Sequence, residues 1–82
     1  MAFIEIDIVL YEEDLNMEAV FKAMIDMNEI ESFSADCDKK LNPLSRTLIY
    51  FKSGVFMTAN ISYPAFKKLF QVNATKYIAF KN

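Results

Sequence analysis

Hydrophobic and polar residues alternate at the start of the chain, over residues 3–11. The two faces that the alternation defines are Ile4, Ile6, Ile8 and Leu10 on one side and Glu5, Asp7, Val9 and Tyr11 on the other. A period of two with β-branched residues is typical of a strand with one buried face. An acidic cluster at residues 12–14 ends this predicted strand.

The next segment, residues 15–28, has apolar residues at spacings of three and four, which is typical of an amphipathic helix. Asp14 or Asn16 would cap its N-terminus. Glu18 and Lys22 stand four residues apart, in the order that stabilises a helix. The stripe expected to face the core is Met17, Val20, Phe21, Met24 and Met27 or Asn28.

Residues 30–35 alternate only weakly, so the pattern leaves a short strand and a loop both open. The tract that follows, residues 36–45, is polar and contains Pro43, which disfavours helix in the residue before it. We therefore predict a loop over residues 36–45.

The second half of the chain begins with two strong strand patterns, residues 46–51 and 55–61. Between them Gly54 tolerates a positive φ, which predicts a hairpin. Ser62 as a cap and Pro64 in the first turn then predict a second helix. Residues 76–80 are expected to form a last short strand.

The predicted order of strand, helix, strand, strand, helix, strand is that of the ferredoxin-like split βαβ fold, βαββαβ. We therefore expect a single α+β domain over residues 1–82, with a four-stranded antiparallel sheet and two helices on one face. The first strand would lie between the third and the fourth, antiparallel to both. The alternative makes residues 30–35 a fifth short strand, giving five strands and two helices.

The composition narrows the classes of function. The chain has 82 residues, 54% of them hydrophobic, which excludes an intrinsically disordered chain. It has no histidine and one cysteine, Cys37, so the usual ligands of zinc or iron–sulfur and a histidine-activated nucleophile are missing. We predict no catalytic residues, no metal and no cofactor, and therefore a protein that is not an enzyme.

Two features bear on the cellular compartment. The N-terminal residues lack a basic segment, and Glu5 and Asp7 interrupt the apolar stretch, so no signal peptide is expected. No run approaches the roughly 18 apolar residues of a membrane span. With a free Cys37, these features predict a cytoplasmic protein with no membrane contact.

Charge is divided sharply along the chain. Residues 5–38 hold all eleven acids and a single base, and residues 39–82 hold eight bases and no acid. A nucleic-acid-binding module is therefore one alternative. The residues that would carry it are Arg46, Lys52, Lys67, Lys68, Lys76 and Lys81. Packing of the two halves against each other would equally pair these charges within the domain.

The predicted fold leaves one sheet face without a helix, and aromatic residues collect there. The partner-binding residues expected on this face are Tyr11, Tyr50, Phe56, Tyr77, Glu5, Asp7 and Lys81. Four aromatics form an apolar patch that a small monomer seldom exposes. We therefore expect a protein-binding module. The small size of the chain and its abundance of Ile, Asn, Lys, Phe, Tyr and Met, which is typical of an AT-rich coding sequence, predict a regulator or inhibitor from a bacterium or mobile element. Its partner would be another protein or a second copy of the chain in a homodimer.

Overall fold

A computed structural model of the chain describes residues 3–40 and 42–78. In chain order the elements are β1 (Phe3–Glu12), β2 (Met17–Asp26), a 3-10 turn (Met27–Glu29), β3 (Ile30–Cys37), β4 (Pro43–Phe51), β5 (Phe56–Ala59) and α1 (Tyr63–Ile78). The strands form one antiparallel sheet in the order β2-β1-β5-β4-β3. α1 packs on one face of this sheet, against β3 and β4. The ferredoxin-like prediction of four strands and two helices is therefore wrong.

The largest correction concerns residues 15–28, which form the end of a turn, strand β2 and the start of the 3-10 turn instead of a helix. Apolar residues in β2 also recur at every second position, from Met17 through Phe21 to Ile25. β2 pairs with β1 over its whole length without a bulge, from Glu12 opposite Met17 to Phe3 opposite Asp26. Helix propensity is a weak preference, and this continuous ladder overrides it.

A four-residue turn, residues 13–16, joins β1 to β2. Asn16 has a φ of 48°, a left-handed conformation that asparagine tolerates better than most residues. Its N–H donates to the carbonyl of Glu13 at 3.1 Å, and its side-chain oxygen accepts from the hydroxyl of Tyr11. Asp14 and Asn16 therefore belong to a hairpin turn and do not cap a helix.

The middle of the sheet agrees with the sequence pattern. β4 and β5 form the predicted hairpin, in which Gly54 has a φ of 91° and donates to the carbonyl of Phe51 at 2.9 Å. β5 lies beside β1, as expected for the third strand beside the first. On the other side of β1 lies β2, where the predicted last strand would pair. Residues 76–78 instead complete α1, and residues 79–80 lie outside the described part of the chain.

The weakly alternating residues 30–35 do form a strand, β3, which continues to Cys37. The predicted loop over residues 36–45 is shortened to a turn organised by Asp38. Its carboxylate accepts from the backbone N–H of Lys40 at 2.8 Å and of Asn42 at 2.9 Å. β4 then begins at Pro43, because the first position of a strand tolerates a residue without an N–H.

The start of α1 follows the prediction. The hydroxyl oxygen of Ser62 accepts from the N–H of Ala65 at 3.4 Å, and the Ser62 carbonyl accepts from Phe66 at 2.9 Å. Pro64 lies in the first turn, where its missing N–H costs nothing.

The core lies between α1 and the sheet. Phe66, Ile49 and Thr47 are completely buried, and the ring of Phe33 meets that of Phe66 edge-on with centroids 4.9 Å apart. The other buried apolar residues are Ile4, Ile6, Ile8, Ile25, Met27, Ile30 and Ala59. The predicted inner face of β1 is thus confirmed for its three isoleucines.

Several residues expected in the core are exposed. They are Leu10, Met17, Val20, Phe21 and Met24. All belong to the β1–β2 hairpin at one edge of the sheet, whereas α1 packs on β3 and β4 at the opposite edge, and Val20 and Met24 also face away from α1. The hairpin therefore extends past the helix with its apolar side chains uncovered.

The core makes a direct stability prediction. Phe66→Ala should lower the free energy of unfolding by about 3–5 kcal/mol, because it removes a buried ring and leaves a cavity. Val72→Ala, on the same helix but 62% exposed, is the matched control and should change it little. Urea unfolding followed by circular dichroism measures both. A loss at Phe66 no larger than at Val72 would contradict the packing of α1 on the sheet.

Candidate protein-binding face

We call the sheet face opposite α1 the open face. Residues directly opposite each other on antiparallel strands share a face, so the strand registers arrange the open face in rows. Three rows cross it. The aromatic row is Tyr11, Phe56 and Tyr50; the middle row is Val20, Val9, Thr58 and Leu48; the charged row is Lys22, Asp7 and Arg46.

The aromatic row contains three of the four aromatics predicted for this face. Tyr50 lies opposite Phe56, with ring centroids 5.9 Å apart. The pairing of Val9 with Thr58 places Tyr11 level with Phe56 on the neighbouring strand. The exposed fractions are 52% for Tyr11, 61% for Phe56 and 41% for Tyr50. The row is therefore a preformed apolar strip held on three adjacent strands.

The fourth predicted aromatic, Tyr77, falls within α1 rather than in a last strand. Its side chain lies outside the described part of the structure, so its place on the open face stays a prediction.

A bidentate ion pair joins two strands that are not neighbours. The two terminal nitrogens of the Arg46 guanidinium in β4, Nη1 and Nη2, each donate to one carboxylate oxygen of Glu18 in β2 at 2.6 Å. β1 and β5 lie between those strands. In a flat sheet the two backbones would be about 14 Å apart across the strands and about 13 Å apart along them. The contact therefore requires the sheet to coil toward its open face, as right-handed twist allows.

The same ion pair explains why three of the four residues of the middle row are half-buried, while Val20 at the sheet edge is 52% exposed. Arg46 starts in the charged row and Glu18 is level with the aromatic row, so the pair crosses the middle row diagonally. Val9, Thr58 and Leu48 are half-buried although no helix of residues 3–40 and 42–78 lies over them. The ion pair and the coil of the sheet shield the centre of the open face and leave the aromatic row exposed.

Electrostatics in this region follow from the ion pair. Hydrogen bonds from Arg46 lower the pKa of Glu18, and the hydrogen bond to Glu18 raises the pKa of Arg46. Asp36 in β3 adds a favourable Coulomb interaction with Arg46. The pair is partly exposed, with 28% of the Arg46 side chain and 42% of the Glu18 side chain accessible. Arg46 is thus already engaged by a carboxylate.

The predicted acids of the open face are where the alternation places them, with a different cation beside them. Glu5 and Asp7 lie on the open face of β1, and Lys22 of β2 donates to Asp7 at 3.3 Å. Lys81, expected as their cross-strand neighbour, lies outside the described residues. Met24, opposite Glu5, adds an apolar side chain that is 61% exposed.

The sequence pattern does not predict three charged residues of this candidate site, Glu18, Lys22 and Arg46. The spacing of Glu18 and Lys22 was consistent with a helical pair, yet it also puts both on one face of a strand together with Val20. That alternation, Glu18-x-Val20-x-Lys22, is the signal that identifies them.

Among the other bases predicted for nucleic-acid binding, those that the structure describes do not gather with Arg46. Lys52 lies in the β4–β5 turn, and Lys67 and Lys68 are exposed on α1, on the other side of the sheet. The Lys76 side chain and Lys81 lie outside the described part. On the open face the acids Glu5, Asp7, Glu18 and Asp26 outnumber the bases Lys22 and Arg46. This balance is unlike the basic surface that phosphate groups require.

A second uncovered apolar area lies on the α1 side of the β1–β2 hairpin. A groove of about 390 Å³ touches Leu10, Phe21 and Ala23 of the hairpin, which face that side, and it also touches Tyr11 and Phe56 of the aromatic row. Leu10 is 54% and Phe21 47% exposed. The hairpin therefore exposes apolar side chains on both faces.

Other chemistry is sparse in residues 3–40 and 42–78. Cys37 is exposed at the end of β3. No group of three or more Cys, Asp or Glu side chains in those residues is arranged to hold a metal ion. Among the helices of the same residues, none has the length and apolarity needed to cross a membrane. Comparison of the chain with protein-family models, curated proteins and solved structures found no match.

The ion pair across the open face predicts a pH-dependent coupling. Glu18→Gln, Arg46→Gln and the double variant form a cycle whose coupling free energy should stabilise the fold at pH 7. Because the folded-state pKa of Glu18 is lowered, this contribution is complete above its unfolded-state pKa. It is lost as pH falls through the folded-state value. Urea unfolding at several pH values measures it.

The Asp7–Lys22 pair is the matched control for this cycle. It has a single contact at 3.3 Å and a side chain, that of Lys22, which is 70% exposed. Its coupling should be smaller than that of the bidentate pair. A Glu18–Arg46 coupling that is absent at pH 7, or unchanged once Glu18 is protonated, would contradict the coiled sheet described above.

Proposed function

We propose that this protein is a non-enzymatic module that binds another protein through its open face. The observation that carries the proposal is the aromatic row, in which Tyr11, Phe56 and Tyr50 are half exposed side by side. Exposed patches of this kind on a small protein mark interaction sites. Tyrosine supplies a large contact area with a polar tip and loses little conformational entropy on binding.

The placement of these aromatics on strands supports a binding role. Tyr50 and Phe56 are held opposite each other in the β4–β5 ladder, and Tyr11 is anchored through its hydroxyl to the turn residue Asn16. Side chains that are positioned before binding have less freedom to lose in the complex. The row is therefore suited to act as the anchor of an interface.

The charges around the row indicate the chemistry of the partner. Glu18 lies beside Tyr11, and Glu5 and Asp7 lie farther along the same strand. A protein surface with an apolar centre and basic residues at its edge would complement this face, and the charges would mainly set orientation and association rate. We propose a regulatory or inhibitory role in the cytoplasm of a bacterium, encoded by the bacterium or by a mobile element.

The proposal is tested by removing the two paired rings. The bait is the tagged full chain, and the wild type is compared with Tyr50→Ala/Phe56→Ala in cell extract, with bound proteins quantified by mass spectrometry. Loss of a central aromatic anchor costs about 2 kcal/mol or more, so the double variant should lose its specific partner about thirtyfold or more. Val72→Ala removes an equally exposed apolar group from α1 and should retain the partner.

Two results would contradict the proposal. One is a folded double variant that retains every protein captured by the wild type. The other is wild-type binding to random single-stranded oligonucleotides that falls steeply with salt, because phosphate contacts release counterions. If oligonucleotide binding is found and the Tyr50 and Phe56 substitutions do not change it, the result would favour nucleic-acid binding.

A further inference from the structure

The two edge strands of the sheet, β2 and β3, differ in how easily another strand can pair with them. β2 is an edge strand that follows β1 without a bulge, and its residues 17–22 are all exposed. β3, at the other edge, has irregularities between Ile30 and Ser32 and between Ala35 and Cys37. Bulges protect an edge, whereas a long regular edge with apolar residues is a template for another strand.

We infer that two copies of the chain pair antiparallel through their β2 edges, about a two-fold axis at Val20. The two sheets then form one continuous sheet. Residues 17–23 of one copy lie opposite residues 23–17 of the other, and both helices lie on the same side. The inference goes beyond the proposed function and does not depend on it.

Charge complementarity selects this register. With the axis at Val20, Glu18 lies opposite Lys22 of the second copy, and this happens twice. With the axis at Ala19, Glu18 would lie opposite Val20 of the second copy. With the axis at Phe21, Lys22 would lie there instead. Moving it to Glu18 or Lys22 sets like charges against each other, which is destabilising. If the axis falls between two residues, side chains on the open face of one copy lie opposite side chains on the α1 face of the second copy.

A lysine in an edge strand usually discourages pairing. In this register Lys22 already contacts Asp7 and gains Glu18 of the second copy, which is itself bound to Arg46. The result is a line of alternating charges, Asp7–Lys22–Glu18–Arg46, that runs across both copies. The edge charges that block other registers thus favour this one.

Side-chain size is also complementary on the α1 side of the strand. Phe21 lies opposite Ala19 of the second copy, and Met17 lies opposite Ala23. Phe21 is 47% and Met17 56% exposed in the single chain. Pairing a large side chain with a small one lets both copies bury these groups against the neighbouring hairpin.

Complementary charge variants test the register. Wild type should sediment as a dimer that dissociates on dilution. Lys22→Glu and Glu18→Lys each create two like-charge contacts, and each should raise the dimer dissociation constant about tenfold or more. When the two variants are mixed, both contacts become attractive, so a heterodimer should form. Lys68→Glu on α1 is the control and should dimerise as the wild type does.

A cysteine placed on the axis gives an independent readout. In a Cys37→Ser background, Val20→Cys should form a disulfide-linked dimer on mild oxidation, because opposed residues on antiparallel strands lie within bonding range. Val72→Cys on α1 should not. The variants are checked for folding by circular dichroism.

Several outcomes would overturn the inference. They are a wild type that stays monomeric at its highest soluble concentration, variants that do not form a heterodimer on mixing, and a dimer that Val20→Cys fails to crosslink. A dimer abolished by Tyr50→Ala/Phe56→Ala but not by the charge variants would assign self-association to the open face. None of these results would by itself contradict binding of another protein by the aromatic row.

Discussion

The arrangement of the chain depends on the area of the sheet that one helix, α1, can cover. α1 has 16 residues and is about 24 Å long, whereas the ten-residue strands β1 and β2 extend about 33 Å. Within residues 3–40 and 42–78, α1 is the only α-helix, and it packs on one face of the sheet. Its contacts lie over β3 and β4, where Phe66 and Ile49 are completely buried. The open face and the far half of the hairpin are left to be covered by other means.

The ion pair of Arg46 and Glu18 supplies part of that cover. It links β4 to β2 across two intervening strands and holds the sheet coiled over Val9 and Thr58. Polar groups thereby shield apolar ones at the centre of the open face. The aromatic row beyond it is not shielded in this way, and this contrast separates a structural part of the face from the part that we propose to bind a partner.

The local patterns of the sequence predict much of the sheet. Strict alternation places Ile6 in the core and Tyr11 outside, and Gly54 and Ser62 mark a hairpin and a helix start. The failure at residues 15–28 has a physical cause, since Met17, Phe21 and their neighbours satisfy a helical and a strand period alike. Pairing with β1 decides between them, and pairing is a long-range property that a local pattern does not contain.

The wrong helix prediction for residues 15–28 also explains why the sequence does not predict two residues of the candidate site, Glu18 and Lys22. Tyr50 and Phe56 were placed together correctly because both strands of their hairpin were identified. Glu18 and Lys22 were assigned to a helix face, so their position on the open face beside Tyr11 and Asp7 was not foreseen. The last predicted strand failed for a related reason, because β2 occupies the edge of β1 that it needed.

We propose that another protein covers the open face in the cell. Native methionines and aromatics report this directly by hydroxyl-radical footprinting, in dilute purified protein and in intact cells. Met24, Tyr50 and Phe56 should be labelled in the purified protein and protected in cells. Val72 on α1 should be labelled equally in both, and buried Met27 in neither. Equal labelling of Met24, Tyr50 and Phe56 in both samples would contradict the account.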